Sequence, residues 1–288
     1  MKIVRTLIVM TRRAKFGEAM EEIVIATGPS GRTGVEAKGA RAIEIYLSRV
    51  LGVSTRVRVA RSYERLGDLL RTQSADFGWL PPAIFVRTES QHGVRVLLAT
   101  VRNEQASFSS ALFCEATSEF KELADLCGSR AVWVSPGSCS GYLYPRLLLR
   151  DAGLDPSQLF AEQRFVDSHQ AVIEEVVSGR ADIGATYLRG APERPRAADL
   201  GGDESRNAGL RILGHRGGIP SDAICAAPKV PEALARKFEE ALLGLSEAEG
   251  GAAILGELFD AQAFAPISSE AYMDVRRALA AEEAGSVI

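Results

Sequence analysis

Apolar positions recur along this chain at two spacings, and their alternation divides it into strands and helices. Glu22-Ile23-Val24-Ile25-Ala26-Thr27 is a β-branched run that predicts a first core strand, ending in the glycine-rich loop Gly28-Pro29-Ser30-Gly31-Arg32-Thr33-Gly34. Ala42, Ile43, Ile45, Tyr46 and Val50 then fall at helical spacing, which predicts a helix over 37–51 stopped by Gly52. Thr55 to Ala60 alternates as a strand. Ser62 caps a helix that runs to about Gln73. Asp76 to Leu80 reads as a short strand ending in a rigid Pro81-Pro82 turn, and Val94 to Val101 as a fourth strand.

The same alternation then restarts. Phe108–Cys114 predicts a strand, Phe120–Cys127 a short helix and Ser129–Val134 a strand. A serine–glycine loop follows and opens a helix that ends at Gly153. Gln163–Val166 predicts a strand, Gln170–Ser178 a helix and Ala181–Tyr187 a further strand. Gly190–Ala208 is a polar surface excursion. Leu210–Leu213 and Ala223–Ala227 return as strands, Pro231–Leu245 as a helix with proline near its start, and the tail from Ala252 is helical and packs rather than reacts. Two βα series with a late return predict an α/β fold built on largely parallel sheet, in two lobes with a cleft between them. Ligands of such sheets sit beyond the carboxyl ends of the strands. Four loops end strands there: 28–34, 79–82, 135–142 and 167–169.

Composition narrows the function more than the fold. Of the 288 residues, 46% are hydrophobic and 25% charged, the balance of an ordinary globular chain of one large or two modest domains. A net charge of −3, with no basic stripe interleaved with aromatics, argues against nucleic acid as a partner. Cys114, Cys127, Cys139 and Cys225 form no CxxC pair, so no metal site is expected; their even count permits disulfides, and buried free thiols are the preferred reading. The glycine loop at 28–34 lacks a lysine followed by Ser or Thr, so it reads as a turn rather than a nucleotide phosphate loop. At the N-terminus, Leu7–Met10 is apolar but is interrupted by Thr11-Arg12-Arg13, shorter than the roughly 7–15 residues of an export signal. No stretch is long enough to span a membrane.

The chemistry concentrates in Ser135-Pro136-Gly137-Ser138-Cys139-Ser140-Gly141-Tyr142. A glycine- and hydroxyl-rich loop at a helix start presents unpaired N–H groups with the helix dipole behind them, a seat for an anion. The same serines would serve an ordinary N-cap, and both readings fit the spacing. Cys139 at that position, with His169 as a base, also admits a thiol enzyme, although no cysteine-hydrolase motif is present.

With these residues in view, the chain resembles the phosphate/phosphite/phosphonate-binding proteins of ABC importers. The resemblance rests on Ser62-Tyr63-Glu64, Asp76–Pro82, Pro136–Tyr142, Leu143-Tyr144-Pro145-Arg146, Ala152–Pro156, Ser168-His169-Gln170-Ala171-Val172 and Gly179–Ala185, in consistent order from about Ile23 to Leu245. It implies a type 2 periplasmic-binding-protein fold: 22–103 with 216–288 as lobe 1, 104–215 as lobe 2, and 1–21 as an N-terminal extension or atypical leader. It implies capture of a small oxyanion by lobe closure for import, an ABC permease as partner, a monomer, no cofactor and no catalysis. A periplasmic or membrane-associated extracytoplasmic location follows from the family, whereas the interrupted leader admits a cytoplasmic one and a sensor that keeps the binding fold.

Carried over residue by residue, Ser138, Cys139 and Ser140 would supply backbone N–H groups, and the two serines their hydroxyls. Tyr63 would donate its hydroxyl, His169 would face the cleft, and Asp222 would meet a ligand amine. Trp79 borders the cleft in this reading, and Tyr187 closes the pocket over the ligand. Four of them have a plainer role: Tyr63 capping an edge of the core, Trp79 in the core, His169 bonded locally at a helix start, and Asp222 as a loop acid. The chain departs from the family pattern at Cys139, where a hydroxyl residue is usual. It departs again at Thr186-Tyr187-Leu188, which replaces a polar, acidic run. Oxyanion binding is therefore the firmer expectation, and an aminophosphonate the weaker one.

Overall fold

The computed structural model describes residues 22–28, 33–189, 193–201 and 204–285. The N-terminal extension and most of the glycine loop lie outside them.

The first series folds as expected into β1 (Glu22–Thr27), α1 (Thr33–Leu51), β2 (Ser54–Val59), α2 (Tyr63–Arg71), β3 (Phe77–Leu80) and β4 (Arg95–Val101). Between β3 and β4 the expected Pro-Pro turn is instead the start of α3 (Pro82–His92). Pro82 stands at the first helical position, where proline's missing N–H costs nothing and its fixed φ suits a helix. β1 to β4 run parallel, but the sheet is mixed, in the order β11-β4-β10-β3-β1-β2. Two late strands, β10 (Ala223–Ala226) and β11 (Ala263–Pro266), enter antiparallel, β10 between β3 and β4. The apolar alternation of β3 puts Phe77 into the core, where it stacks on Phe238 with ring centroids 3.7 Å apart. Phe238 lies on α7 (Glu232–Leu243).

The second sheet, in the order β7-β6-β8-β5-β9, is built from β5 (Ser107–Glu115), β6 (Arg130–Trp133), β7 (Glu162–Phe165), β8 (Ile183–Leu188) and β9 (Leu210–Pro220). β6 runs parallel to both β7 and β8, while β5 pairs antiparallel with β8 and β9. On one face α5 (His169–Val177) packs Val172, Ile173 and Val176 against Ala111, Phe113 and Val132. The opposite face buries Leu112, Trp133 and Ile183 with Leu149 of α4 (Tyr144–Asp151). The predicted helix at 120–127 is only a 3₁₀ turn, Leu123–Leu126. A four-residue helix, α6 (Glu204–Asn207), lies in the polar excursion.

The chain passes between the sheets twice, at 102–106 and at Ser221–Asp222. The sequence placed the return at 216, whereas β9 stays paired to β5 through Pro220. Arg102 and Asp222 join the two crossings by an ion pair of 2.8 Å. After a short α8 (Gly251–Ile254), the C-terminal helix α9 (Met273–Gly285) lies across both halves. Its Arg276 pairs with Glu89 of α3, and its Glu282 with Arg146 and Arg150 of α4.

Candidate functional site

β6, β7 and β8 are parallel, so their carboxyl ends deliver three segments to one edge: the serine loop, the Asp167–His169 connection and Tyr187. Val166 and Asp167 donate their N–H groups to the carbonyls of Trp133 and Val134 (3.0 and 2.8 Å), which ties the second segment to the root of the first.

The serine loop opens on a π-helical turn, Cys139–Leu143, before α4 begins. Ser138 is its N-cap, with Oγ accepting the Gly141 N–H at 3.0 Å. Its hydroxyl thus performs the plainer of its two expected roles. Ser140 is buried, and its hydroxyl has no hydrogen-bond partner among the described residues. The N–H groups of Cys139 and Ser140 likewise have no acceptor among the described residues, as the first turn of a helix requires.

Cys139 points away from its own lobe. It lies in the first lobe's apolar core, with the Ala83 N–H of α3 directed at its sulfur. Burial pushes its thiol up to about 12, and the Asp222 carboxylate pushes the same way, against a smaller opposing pull from Ala83 and Arg87. A nucleophilic cysteine needs the opposite shift. The geometry therefore gives the thiol-enzyme reading no activated sulfur. Cys114 and Cys225 are buried free thiols as expected, but Cys127 is exposed.

His169 begins α5, which Ser168 caps by accepting the Ala171 N–H at 3.1 Å. Its Nδ1 lies 2.9 Å from Thr186 Oγ1, and its ring meets Tyr187 edge-on at 5.0 Å. Desolvation pushes its pKa down from 6.5 to about 4. The unfolded chain therefore takes up a proton that the folded one refuses. Stability from this group is complete above about pH 6.5 and declines as the pH falls toward 4, by up to roughly 3 kcal/mol. Urea unfolding between pH 7 and 4 should show this slope, flattened in His169→Gln. Equal slopes in the two proteins would contradict it.

The remaining expected residues are placed as follows. Trp79 is buried and packs edge-on to Phe259, with its Nε1 lacking a partner among the described residues. Tyr187 meets the His169 ring edge-on and lies against Gly201. Tyr63 lies in the first turn of α2, and its side chain is outside the described residues. Asp222 stands within electrostatic reach of Cys139, but its carboxylate is held by Arg102. Arg102 is itself fixed by the carbonyls of Phe259 and Asp260.

One residue the sequence did not single out stands here. Arg87, on α3, reaches the serine loop from the other lobe, and a Cβ on Gly137 would lie 3.9 Å from its Nη1. Missing the helix meant missing the arginine. Among the described residues, no group of three or more His, Cys, Asp or Glu is arranged to hold a metal.

Two α/β lobes joined by two crossings, with helix starts from both meeting between them, define the two-lobed binding-protein fold. The chain belongs to the family described as "ABC transporter, phosphonate, periplasmic substrate-binding protein", whose model matches residues 29–272. Similar solved structures include XAC2383 from Xanthomonas citri bound to ATP, 19% identical, with TM-score 0.73, covering 90% of this chain and 98% of that one. PhnD1 from Prochlorococcus marinus in complex with methylphosphonate is 20% identical, with TM-score 0.68, covering 90% of this chain and 97% of that one. The aliphatic sulphonate binding protein SsuA from Escherichia coli is 17% identical, with TM-score 0.61 and coverages of 93% and 89%. The family is one of periplasmic substrate-binding proteins rather than enzymes, and among the described residues no helix is long and apolar enough to cross a membrane.

Proposed function

We propose that this chain is the solute-binding component of an ABC importer and captures a small tetrahedral oxyanion, phosphonate-like, between its lobes outside the cytoplasm. The observation that carries the reading is the π-helical serine turn. Its Cys139 and Ser140 N–H groups and Ser140 hydroxyl, without partners among the described residues, converge at a helix start that faces the opposite lobe. The two lobes are 22–101 with 223–285, and 107–220, pivoting on the crossings at 102–106 and 221–222. A ligand that touches both shifts an open–closed equilibrium without any catalytic step. His169, kept neutral, serves as a hydrogen-bonding wall beside the loop. Asp222 belongs to the pivot, so an anion without an amine suits the site better than an aminophosphonate. Similarity to both phosphonate and sulphonate binders supports the oxyanion class without choosing within it.

Thermal unfolding with phosphate, phosphite, methylphosphonate, 2-aminoethylphosphonate, sulfate and methanesulfonate tests the reading. A ligand that binds only the folded state raises the Tm by mass action. A rise with one or more phosphorus oxyanions, diminished in Ser140→Ala, is expected. Ser140 is the better probe because Ser138 also holds the cap, and its loss would cost about 1 kcal/mol of stability whatever binds. No rise with any of the six would overturn the oxyanion assignment.

A further inference from the structure

We infer that Arg87 supplies the ligand's counter-charge from the lobe opposite the serine loop, and so makes lobe closure depend on the charge of the bound anion. The inference rests on the oxyanion reading above and adds to it a residue that the serine loop does not contain.

Arg87 is half-buried, yet among the described residues its guanidinium makes no ion pair and no hydrogen bond. Other half-buried arginines are engaged: Arg102 with Asp222, Arg150 with Glu282, and Arg211 with the carbonyls of Ala116 and Phe120. The acid nearest along its own helix, Glu89, is taken by Arg276 and by the Ser269 hydroxyl. A partly desolvated cation without a partner is costly unless something else pairs with it.

Its direction says where that partner belongs. Ala83 and Arg87 are four residues apart and share one face of α3. Ala83 directs its N–H at Cys139, and Arg87 reaches Gly137 and acts on the Cys139 thiol through space. α3 has no side-chain N-cap, since Pro81 offers none. The first lobe therefore presents a helix start and a guanidinium to the loop, and neither that guanidinium nor the loop's Cys139 and Ser140 N–H groups have a partner among the described residues. A tetrahedral oxyanion on the loop would meet the fork of Arg87, whose planar donors match two of its oxygens. With the lobes apart, the loop alone holds the anion by neutral N–H and hydroxyl groups. With them closed, Arg87 adds the charge.

Isothermal titration of wild type, Arg87→Gln and Arg87→Lys with methylphosphonate, inorganic phosphate and methanesulfonate, at 50 and 500 mM NaCl, tests this. Small-angle scattering with and without each anion reports closure. Arg87→Gln should bind the anion on the order of 10- to 100-fold more weakly at low salt, a loss typical of charge-assisted hydrogen bonds. It should also lose most of the wild-type salt dependence and stay expanded at saturating anion. Arg87→Lys should keep the salt dependence with part of the affinity. The unliganded Tm should hardly move in either, because the side chain has no partner among the described residues. Wild-type binding with Arg87→Gln equal to it in affinity and salt dependence would overturn this inference alone. Absence of binding by wild type to any of the three anions would overturn it together with the oxyanion reading.

Discussion

Glu282→Ala is expected to destabilise the protein by about 3–5 kcal/mol, the usual cost of leaving a buried charge without its partner. Glu282 of α9 meets Arg146 Nε at 2.9 Å and Arg150 Nη2 at 2.7 Å, and accepts the Tyr142 hydroxyl at 2.7 Å. The Arg146 side chain is 6% exposed and lies over the Tyr142 ring, 5.0 Å from its centroid. Without the carboxylate, Arg146 keeps the Pro156 carbonyl and the Gln163 amide oxygen, at 3.1 and 2.9 Å, but no charge to balance it. Replacing pair members with apolar residues of similar volume, as in Arg146→Met/Glu282→Leu, should recover much of the loss, because the pair's desolvation then disappears with it.

The same cluster sets an acid limb. Burial pushes the Glu282 carboxyl up, but Arg146, Tyr142 and Arg150 together outweigh it and hold it below its ordinary 4.5. Its contribution is therefore present above about pH 4.5 and lost as the pH falls through the lower folded value. Urea unfolding at pH 7 measures the first effect and a pH series the second. An alanine variant within 1 kcal/mol of wild type would show that solvent reaches Arg146 freely. Arg276 ties the same helix to Glu89 of α3 and Asp274 ties it to Arg216 of β9, so loss of Glu282 loosens the C-terminal end of α9 while its start stays anchored to both lobes.

How much of this was legible in the sequence depends on the range of the interaction. β1, β2 and β6 to β8 follow from alternation and β-branched content, and the cap at Ser62 from a serine three residues before the N–H it receives. α3 was read as a turn because Pro81-Pro82 looks like a stop, although proline at the first helical position is equally a start. The antiparallel entry of β10 between β3 and β4 carries no local signal, since its partners lie more than a hundred residues away. β11 is four residues in an alanine-rich tail that reads as helix.

At the site the division is the same. The serine turn is local and was visible as a motif, though its π geometry was not. The local bonding of His169 was visible only as an alternative, because Thr186 arrives on another strand. Asp222 was noticed as an acid, but its partner Arg102 is 120 residues away in the other crossing. Chemistry was visible wherever it sat on one segment. Pairing across the two lobes was not.

The second large effect should come from Gly141, where one methyl group is expected to remove binding without unfolding the chain. A Cβ there would lie 2.7 Å from Val134 Cβ, 2.9 Å from Ser138 Oγ, and closer still to Val134 Cγ2. Val134 cannot yield: it follows β6, its N–H donates to the Gly141 carbonyl at 3.2 Å, and its branched side chain is stiff. The loop must move instead. Gly141 also donates its N–H to the Ser138 hydroxyl, so the movement breaks the cap that fixes the Cys139 and Ser140 N–H groups. Overpacking of this kind costs about 1–3 kcal/mol, a few degrees of Tm in a chain of this size. A displacement near 1 Å in a site that binds by aimed donors is expected to weaken the anion about 100-fold, a comparable free energy that falls on binding rather than on folding. Gly137→Ala is the control, since the nearest atom to its Cβ is Arg87 Nη1 at 3.9 Å, an ordinary contact, and the loop can stay where it is. Titration of both variants with the phosphorus oxyanion that stabilises wild type, beside their far-UV circular dichroism, separates the outcomes. Gly141→Ala should keep its secondary structure and lose the anion, while Gly137→Ala should keep both. Wild-type affinity in Gly141→Ala would mean that the anion is not held by this turn, because no arrangement of the turn keeps its N–H groups in place with that methyl present.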